Sequence, residues 1–351
     1  MTSKAISLEA RIAEIPRQNI CDGFTKMTRL DQLSEDMGIE LWMKRDDEAG
    51  PSFGGNKSRQ LEYYFGAAVA QNADTILITG AVQSNFVRLA AAIANRFKMK
   101  AIVQLEERVK DPDQLYRSSG NVLLNQLLGA EILYYPDGED EEGADAVLYE
   151  RANALRRQGK NPYVIPLSGN KPPLGALGYV QCAKEIMDQS SQAFDHVVVG
   201  TGSGATHLGL TAGMKYYCPS AQVTGSCVRR PKGEQQQRLS RLANQFNEMV
   251  EQPEYLTDSD FNIWDGAFLP GYGKLSDKAA AALIKMARSE GYILDPVYTA
   301  KSFAAVPGLL EEGFINKGSR VLFVHTGGLG AFFSYQNELI SFLDSGRYKH
   351  K

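Results

Sequence analysis

The sequence predicts an α/β protein of two units, each a parallel sheet covered by helices, and three observations carry that expectation. From residue 74 onward short β-branched runs alternate with helical patterns, the order a βαβ chain produces. The chain has 351 residues, enough for two domains, and 43% are hydrophobic, ample for sizeable cores and against disorder. Glycine, at 33 residues, exceeds the average usage of roughly 7%, which points to backbone turned closely around something.

Taken in order, the first strands read 74–80 (DTILITG), 100–105 (KAIVQL), 130–134 (AEILY) and 161–165 (NPYVI). Ala- or Leu-rich helices separate them, such as 84–97 with its small apolar face. A second series follows at 196–199 (HVVV), 222–228 (QVTGSCV) and 320–325 (RVLFVH). A smaller unit is therefore expected at about residues 60–168, with a larger, discontinuous one built from 1–59 and 169–351. No repeat or low-complexity linker divides them, and the acidic run 137–142 (DGEDEE) reads as a solvated loop before a helix. The cleft between two such units is where a small ligand binds.

Charge and cysteine usage narrow the partner. Lys and Arg number 38 against 41 Asp and Glu, a formal net charge of −3, which leaves no electrostatic footprint for nucleic acid or an anionic membrane. Cys21, Cys182, Cys218 and Cys227 lie far apart without a CxxC pair, so neither a zinc site nor a disulfide framework is indicated, and a reducing cytoplasm fits. The first residues lack the apolar stretch of an export signal, and no apolar run is long enough to span a membrane. His196, His207, His325 and His350 are scattered, so no metal site is expected.

Three glycine-containing segments hold potential chemistry. In 52–63 (SFGGNKSRQLEY), Gly54 and Gly55 precede Lys57 at the start of a helix, where nearby N–H groups and the positive dipole end favour a neutral, nucleophilic amine. The alternative is an exposed helix-start lysine; a P-loop is excluded because Asn56 stands between glycine and lysine. In 200–206 (GTGSGAT), the N–H groups of Gly202, Ser203, Gly204 and Ala205 with the hydroxyls of Ser203 and Thr206 form a phosphate cradle at a helix start. The same letters match a dinucleotide fingerprint. No ribose-binding acid follows the next strand, but Arg229 and Arg230 there leave an NADP-dependent oxidoreductase open. In 324–330 (VHTGGLG) a strand runs into glycines, with Thr326 directed into the cleft or serving as a cap.

Read together, SFGGNKSRQLEY, GAVQSN, GTGSGAT, PGYGK, LDPVYT and HTGG resemble, in this order and over nearly the whole chain, the D-cysteine desulfhydrase and 1-aminocyclopropane-1-carboxylate (ACC) deaminase family. The resemblance implies the two-domain tryptophan-synthase β-like fold, fold type II of the pyridoxal 5′-phosphate enzymes. It implies that Lys57 links covalently to the cofactor and later moves the substrate's Cα proton. It implies that Gly202, Ser203, Gly204, Ala205 and Thr206 hold the phosphate and that Asn85 hydrogen-bonds the ring's 3-oxygen. Ser84 and the helix start behind it would take the substrate carboxylate, for which N–H donors are suited. Tyr298 and Tyr272 match the family's two active-site tyrosines; core packing is the alternative for each. The family is usually dimeric, so a homodimer is expected.

Within the family, Thr299 and Thr326 stand where ACC deaminases have Glu and Leu, which resembles the desulfhydrase branch. A hydroxyl at the ring nitrogen makes a shallower electron sink than a carboxylate, enough for β-elimination of a good leaving group. D-Cysteine giving pyruvate, hydrogen sulfide and ammonia is the expected reaction. Phe86 departs from the His or Gln of the two branches, and leaves L-cysteate, β-chloroalanine, serine-type substrates, ACC or racemisation open. A non-catalytic binding protein of the same fold is the remaining class.

Overall fold

The computed structural model describes residues 7–346; His350 and the outermost parts of the expected larger unit, 1–6 and 347–351, lie outside them. Two sheets organise the chain. The smaller contains β3 (Thr75–Ala81), β4 (Lys100–Glu106), β5 (Glu131–Tyr135) and β6 (Pro162–Ile165), parallel throughout and ordered β5-β4-β3-β6. The larger contains β1 (Met27–Arg29), β2 (Glu40–Lys44), β7 (His196–Thr201), β8 (Gln222–Cys227), β9 (Asn262–Trp264) and β10 (Arg320–Val324), ordered β1-β2-β10-β7-β8-β9.

The seven anticipated strands all form. Three more were not anticipated. β1 and β9 are three residues long, and β2 (ELWMK) carries no β-branched residue, so pairing with β10 rather than local propensity makes it a strand. β1 runs antiparallel to β2 and every other pairing among the described residues is parallel, in keeping with the expected parallel-dominated sheets. A boundary at residue 60 falls inside the helix Asn56–Ala70.

Burial explains why the strand signal was legible. Every residue of β3 is buried, as a parallel strand covered on both faces requires, and Ile76, Leu77 and Ile78 are at most 1% exposed. Each such side chain contributes roughly 1.5–3 kcal/mol to folding. In the larger sheet Val197, Val199, Leu322 and Val324 pack with Tyr179, Ile186 and Leu210 of the covering helices. Part of the glycine excess serves helix contact: a Cβ on Gly178 would lie 2.2 Å from the Arg59 carbonyl oxygen, and one on Gly209 only 2.1 Å from that of Ala176. These contacts draw the helices Asn56–Ala70, Leu174–Gln189 and Ala205–Tyr217 together.

The sheets also decide where chemistry can occur. β3, β4, β7, β8 and β10 all end toward one cavity, whose lining comes from the segments that follow them. Ligands of α/β sheets bind at that carboxyl end.

Candidate active site

Lys57 is the second residue of the helix Asn56–Ala70, which starts at Gly55 with φ 123°. The turn before it is cramped: a Cβ on Gly54 would stand 2.3 Å from the Asp47 carbonyl oxygen. The chain therefore needs glycine to deliver the lysine into the cavity. Lys57 Nζ lies 5.5 Å from the Phe86 ring centroid and 3.4 Å from Gln60 Oε1. Burial pulls its amine down to about 8, so that roughly a tenth is neutral at pH 7.

Facing it is the loop after β7. Arg230 Nη1 donates to the Gly202 carbonyl at 3.2 Å, and Arg238 Nε to that of Ser203 at 2.6 Å. In a trans peptide the N–H points opposite its carbonyl, so the N–H groups of Ser203 and Gly204 turn toward the cavity. Gly204, at φ 100°, then opens the helix Ala205–Tyr217 with its positive end on the same space. Asn56 Nδ2 and Gln60 Nε2 both donate to Thr206 Oγ1 at 2.8 Å, which leaves the Thr206 proton to donate. An anion of phosphate size suits this set of donors.

The third wall is the start of the helix Asn85–Arg96. Ser84 is its N-cap and accepts from Val87 N at 3.3 Å. Asn85 Oδ1 accepts from Asn121 Nδ2 at 2.9 Å and Arg88 Nη2 at 3.4 Å. Both neighbours are donors, so the Asn85 amide has one orientation and its Nδ2 remains to donate elsewhere. Asn121 is held in turn by Gln83, whose Oε1 accepts Asn121 N at 2.8 Å.

On the far side Tyr272 and Tyr298 meet, hydroxyl to hydroxyl, at 2.5 Å. Burial raises both phenols. The Tyr272 loop is tied by Lys301 Nζ, which donates to the carbonyls of Phe268 at 2.9 Å and Gly271 at 2.6 Å.

The structure gathers Lys57, Ser84, Asn85, Gly202, Ser203, Gly204, Thr206, Tyr298 and Thr326 around one cavity. Tyr272 joins through the adjoining space, which shares Lys57, Ser84 and Phe86. Two expected residues lie apart from this lining. Ala205 is not itself among the lining residues, although as the first residue of its helix it carries one of the N–H groups at the end that opens on the cavity. Thr299 is fully buried, and its hydroxyl donates to Asp295 Oδ1 at 2.7 Å while accepting Asp295 N at 2.7 Å. A second correction concerns the acidic run: Asp140 caps the helix Glu141–Arg157, but Glu141 turns inward, is buried, and pairs with Arg229, Arg230 and Arg238. Sequence reading missed Asn56, Gly200, Val228 and Arg108, which also line the cavity. Asn56 was the most findable, being the neighbour of Lys57.

Residues 20–327 match the family described as pyridoxal-phosphate dependent enzyme. The chain is 35% identical over 337 residues to D-cysteine desulfhydrase of Yersinia pestis (strain Pestoides F), spanning 95% of this chain and 100% of that one. It is 36% identical over 344 residues to D-cysteine desulfhydrase of Serratia proteamaculans (strain 568), with the same coverage of 95% and 100%. The crystal structure of an ACC deaminase homologue aligns with TM-score 0.85 at 32% identity over 97% of this chain and 100% of that one. Threonine deaminase isoform 2 of Solanum lycopersicum, processed form, aligns with TM-score 0.68 at 16% identity over 98% and 90%, a likeness of fold. With the lysine, the anion cradle and the two-sheet architecture already in place, these matches establish that the chain belongs to the pyridoxal-phosphate-dependent enzymes of fold type II.

Proposed function

We propose that this enzyme is a β-eliminating carbon–sulfur lyase that converts D-cysteine to pyruvate, hydrogen sulfide and ammonia. The observation that carries the reading is the solitary Lys57 amine, lowered to about 8 by burial and set between an anion cradle and a helix start. The substrate is taken from the desulfhydrase relatives.

The inward N–H groups beside Gly204, with Ser203 and Thr206, fit the cofactor's phosphate. When bound, pyridoxal phosphate supplies the electron sink that makes an amino acid's Cα proton removable. Lys57 is the residue that would hold it covalently and would serve as the base for that proton; a partly neutral amine is what this role needs. Ser84 and the N–H groups at the start of the helix Asn85–Arg96 hold the substrate carboxylate. The Asn85 amide, oriented by Asn121, would offer its Nδ2 to the ring oxygen. Thr326, which lines the cavity, would offer the ring nitrogen a hydroxyl; Thr299 acts behind it by binding Asp295. Tyr298 and Tyr272 close the open side and exclude water. Arg229 and Arg230, which an NADP enzyme would turn to a 2′-phosphate, are instead engaged with Glu141.

The division at about residues 60 and 168, a cytoplasmic location and a homodimer belong to the same proposal. The first is supported by strand membership of the two sheets, the others by the family resemblance. Among the described residues no helix is long and apolar enough to cross a membrane. The test is to incubate the purified enzyme with D-cysteine, L-cysteine and ACC and assay sulfide, pyruvate and 2-oxobutyrate. Equal sulfide and pyruvate from D-cysteine are expected. Faster 2-oxobutyrate from ACC than pyruvate from D-cysteine overturns the branch assignment, and sedimentation of the same sample checks the dimer.

A further inference from the structure

The loop before Gly204 is held in shape from outside its own sheet. An anion site made of backbone N–H groups sets like-oriented peptide dipoles side by side, which favours turning a peptide over until the anion arrives. Two carbonyls of this loop are pinned by side chains distant in sequence: Gly202 by Arg230 Nη1 at 3.2 Å and Ser203 by Arg238 Nε at 2.6 Å. While those bonds hold, the N–H groups of Ser203 and Gly204 stay turned to the cavity.

The other edges of both guanidiniums meet one carboxylate. Glu141 Oε1 accepts from Arg230 Nη2 at 3.0 Å, and Glu141 Oε2 from Arg238 Nη1 at 2.7 Å. Glu141 opens the helix Glu141–Arg157, which packs on β3, β4 and β6 of the smaller sheet. Arg230 follows β8, and Arg238 lies in the helix Lys232–Met249 beside β9, so the carboxylate reaches across to the larger sheet. A planar guanidinium fixes all its N–H directions together, so an acid at one edge sets the donor at the other. Arg229 completes the group: it pairs with Glu141 and donates to the Gly138 carbonyl, in the turn before the same helix, at 3.0 Å. Burial would raise the Glu141 carboxyl, but Arg238, Arg229 and Arg230 outweigh it and hold it at about 2, which keeps it charged at neutral pH. One turn along, Asp145 accepts from Leu167 N at 3.1 Å and Ser168 N at 3.0 Å, while Arg238 Nη2 donates to the Leu167 carbonyl at 2.9 Å. The chain leaving the smaller sheet is thereby tied into the same group.

We propose that Glu141 is a positioning residue for the cofactor phosphate, acting through Arg230 and Arg238 on the carbonyls of the phosphate loop. This role rests on the assignment of the Gly204 loop to that phosphate under the proposed function. Glu141 itself does not line the cavity. Without its charge the two arginines are released, the Ser203 and Gly204 N–H groups point inward only part of the time, and the apparent dissociation constant rises by the inverse of that fraction. The linkage runs both ways: a filled cradle fixes the two carbonyls and so holds the helix Glu141–Arg157 against the larger sheet. Pyridoxal, with the same ring and aldehyde but no phosphate, makes no demand on the loop.

The test titrates the full-length protein, stripped of cofactor, with pyridoxal phosphate and with pyridoxal, each followed by visible absorption. Glu141→Gln should weaken pyridoxal phosphate about tenfold or more and pyridoxal by less than about twofold, and Glu141→Asp should recover part of the loss. Thr206→Val probes the cradle directly and should also weaken pyridoxal phosphate alone. If Thr206→Val is selective in this way but Glu141→Gln binds pyridoxal phosphate normally, or weakens both ligands equally, the role of Glu141 is overturned and the cradle stands. Pyridoxal phosphate bound normally by Thr206→Val overturns the cradle and the role together. Should Glu141→Gln not fold, Arg230→Lys decides: a single amine cannot span the Gly202 carbonyl and Glu141 as a guanidinium does, so pyridoxal phosphate should weaken about threefold with pyridoxal unchanged. An unaltered ratio of the two affinities in Arg230→Lys overturns the role.

Discussion

Two pairs of cations meet opposite surroundings, although one member of each, Arg59 and Lys57, lies two residues from the other on the helix Asn56–Ala70. Lys44 and Arg59 sit in a closed network: Arg59 donates to Asp46, Glu185 and Thr25 at 2.7 to 3.1 Å, and Lys44 donates to Glu185, Gln189 and the Thr25 carbonyl at 2.5 to 2.7 Å. Among the described residues Lys57 and Arg88 have no acid partner. Arg88 is wholly buried, donates to the Gly54 carbonyl and Asn85 Oδ1, and keeps Nε and Nη1 without hydrogen-bond partners among the described residues. Burial lowers it to about 10 and Lys57 to about 8. Lys57 and Arg59 are close in sequence, but positions i and i+2 of a helix point to different faces. One face of the helix Asn56–Ala70 thus completes a structural network, and the other leaves charge open toward the cleft. The difference teaches where a ligand belongs: two acids balance two cations where the protein is self-sufficient, and none do where a phosphate-bearing cofactor supplies the charge.

Substitutions should separate the two sites. The largest effect is expected for Lys57→Ala, which removes the proposed covalent anchor and base; pyruvate formation should fall by about 10³-fold or more. Its unfolding midpoint without cofactor should stay level or rise, because an unpaired buried cation is gone. Next comes Glu185→Gln, which leaves Lys44 without its acid and Arg59 with Asp46 alone, and should cost about 3–5 kcal/mol in denaturant titration. Acid should act on the same side. Burial alone would raise the Asp46 carboxyl, but Arg59 and Lys44 outweigh it and hold it at about 2. Its contribution is complete above its ordinary value of 3.8 and is lost as pH falls through about 2; about 2 kcal/mol should disappear from an unfolding curve over that window. Arg88→Met, smaller again, should change the stability of the cofactor-free protein by less than about 1 kcal/mol. It should also reduce the thermal shift produced by adding pyridoxal phosphate. An Arg88→Met protein as damaged as Glu185→Gln would break the comparison.

How much of this was readable in advance follows from the kind of force involved. β3 and β7 were legible because a strand buried on both faces leaves a run of β-branched residues. Gly54, Gly55 and Gly204 were legible because backbone that must pass close to a carbonyl or open a helix at positive φ excludes side chains, and that leaves a trace in the letters. Charge balance leaves no such trace. Glu141 looks like one more acid in DGEDEE until the fold brings Arg229, Arg230 and Arg238 to it across some ninety residues. Arg88 looks like a solvated helix arginine until that helix is packed on the smaller sheet.

The pair Thr299 and Thr326 gives the finest test, since both were expected at the cofactor ring and only coordinates separate them. Asp295 is wholly buried, which raises its carboxyl, and it is held by the N–H groups of Val297, Tyr298 and Thr299 together with the Thr299 hydroxyl. That turn sets the backbone of Tyr298, whose hydroxyl meets Tyr272. Thr299→Val keeps the shape but leaves Asp295 one donor short, and should cost about 1–3 kcal/mol of stability. Its effect on the cofactor's visible absorption should be nil. Thr326→Val removes a hydroxyl from the cavity lining, where no buried carboxylate depends on it, and should leave stability within about 0.5 kcal/mol. The absorption maximum should move, because on the proposed assignment the ring nitrogen loses a hydrogen bond, and turnover should fall roughly three- to tenfold, about 1 kcal/mol. A spectral shift in Thr299→Val with none in Thr326→Val would reverse the two roles and return the ring contact to the residue after Tyr298.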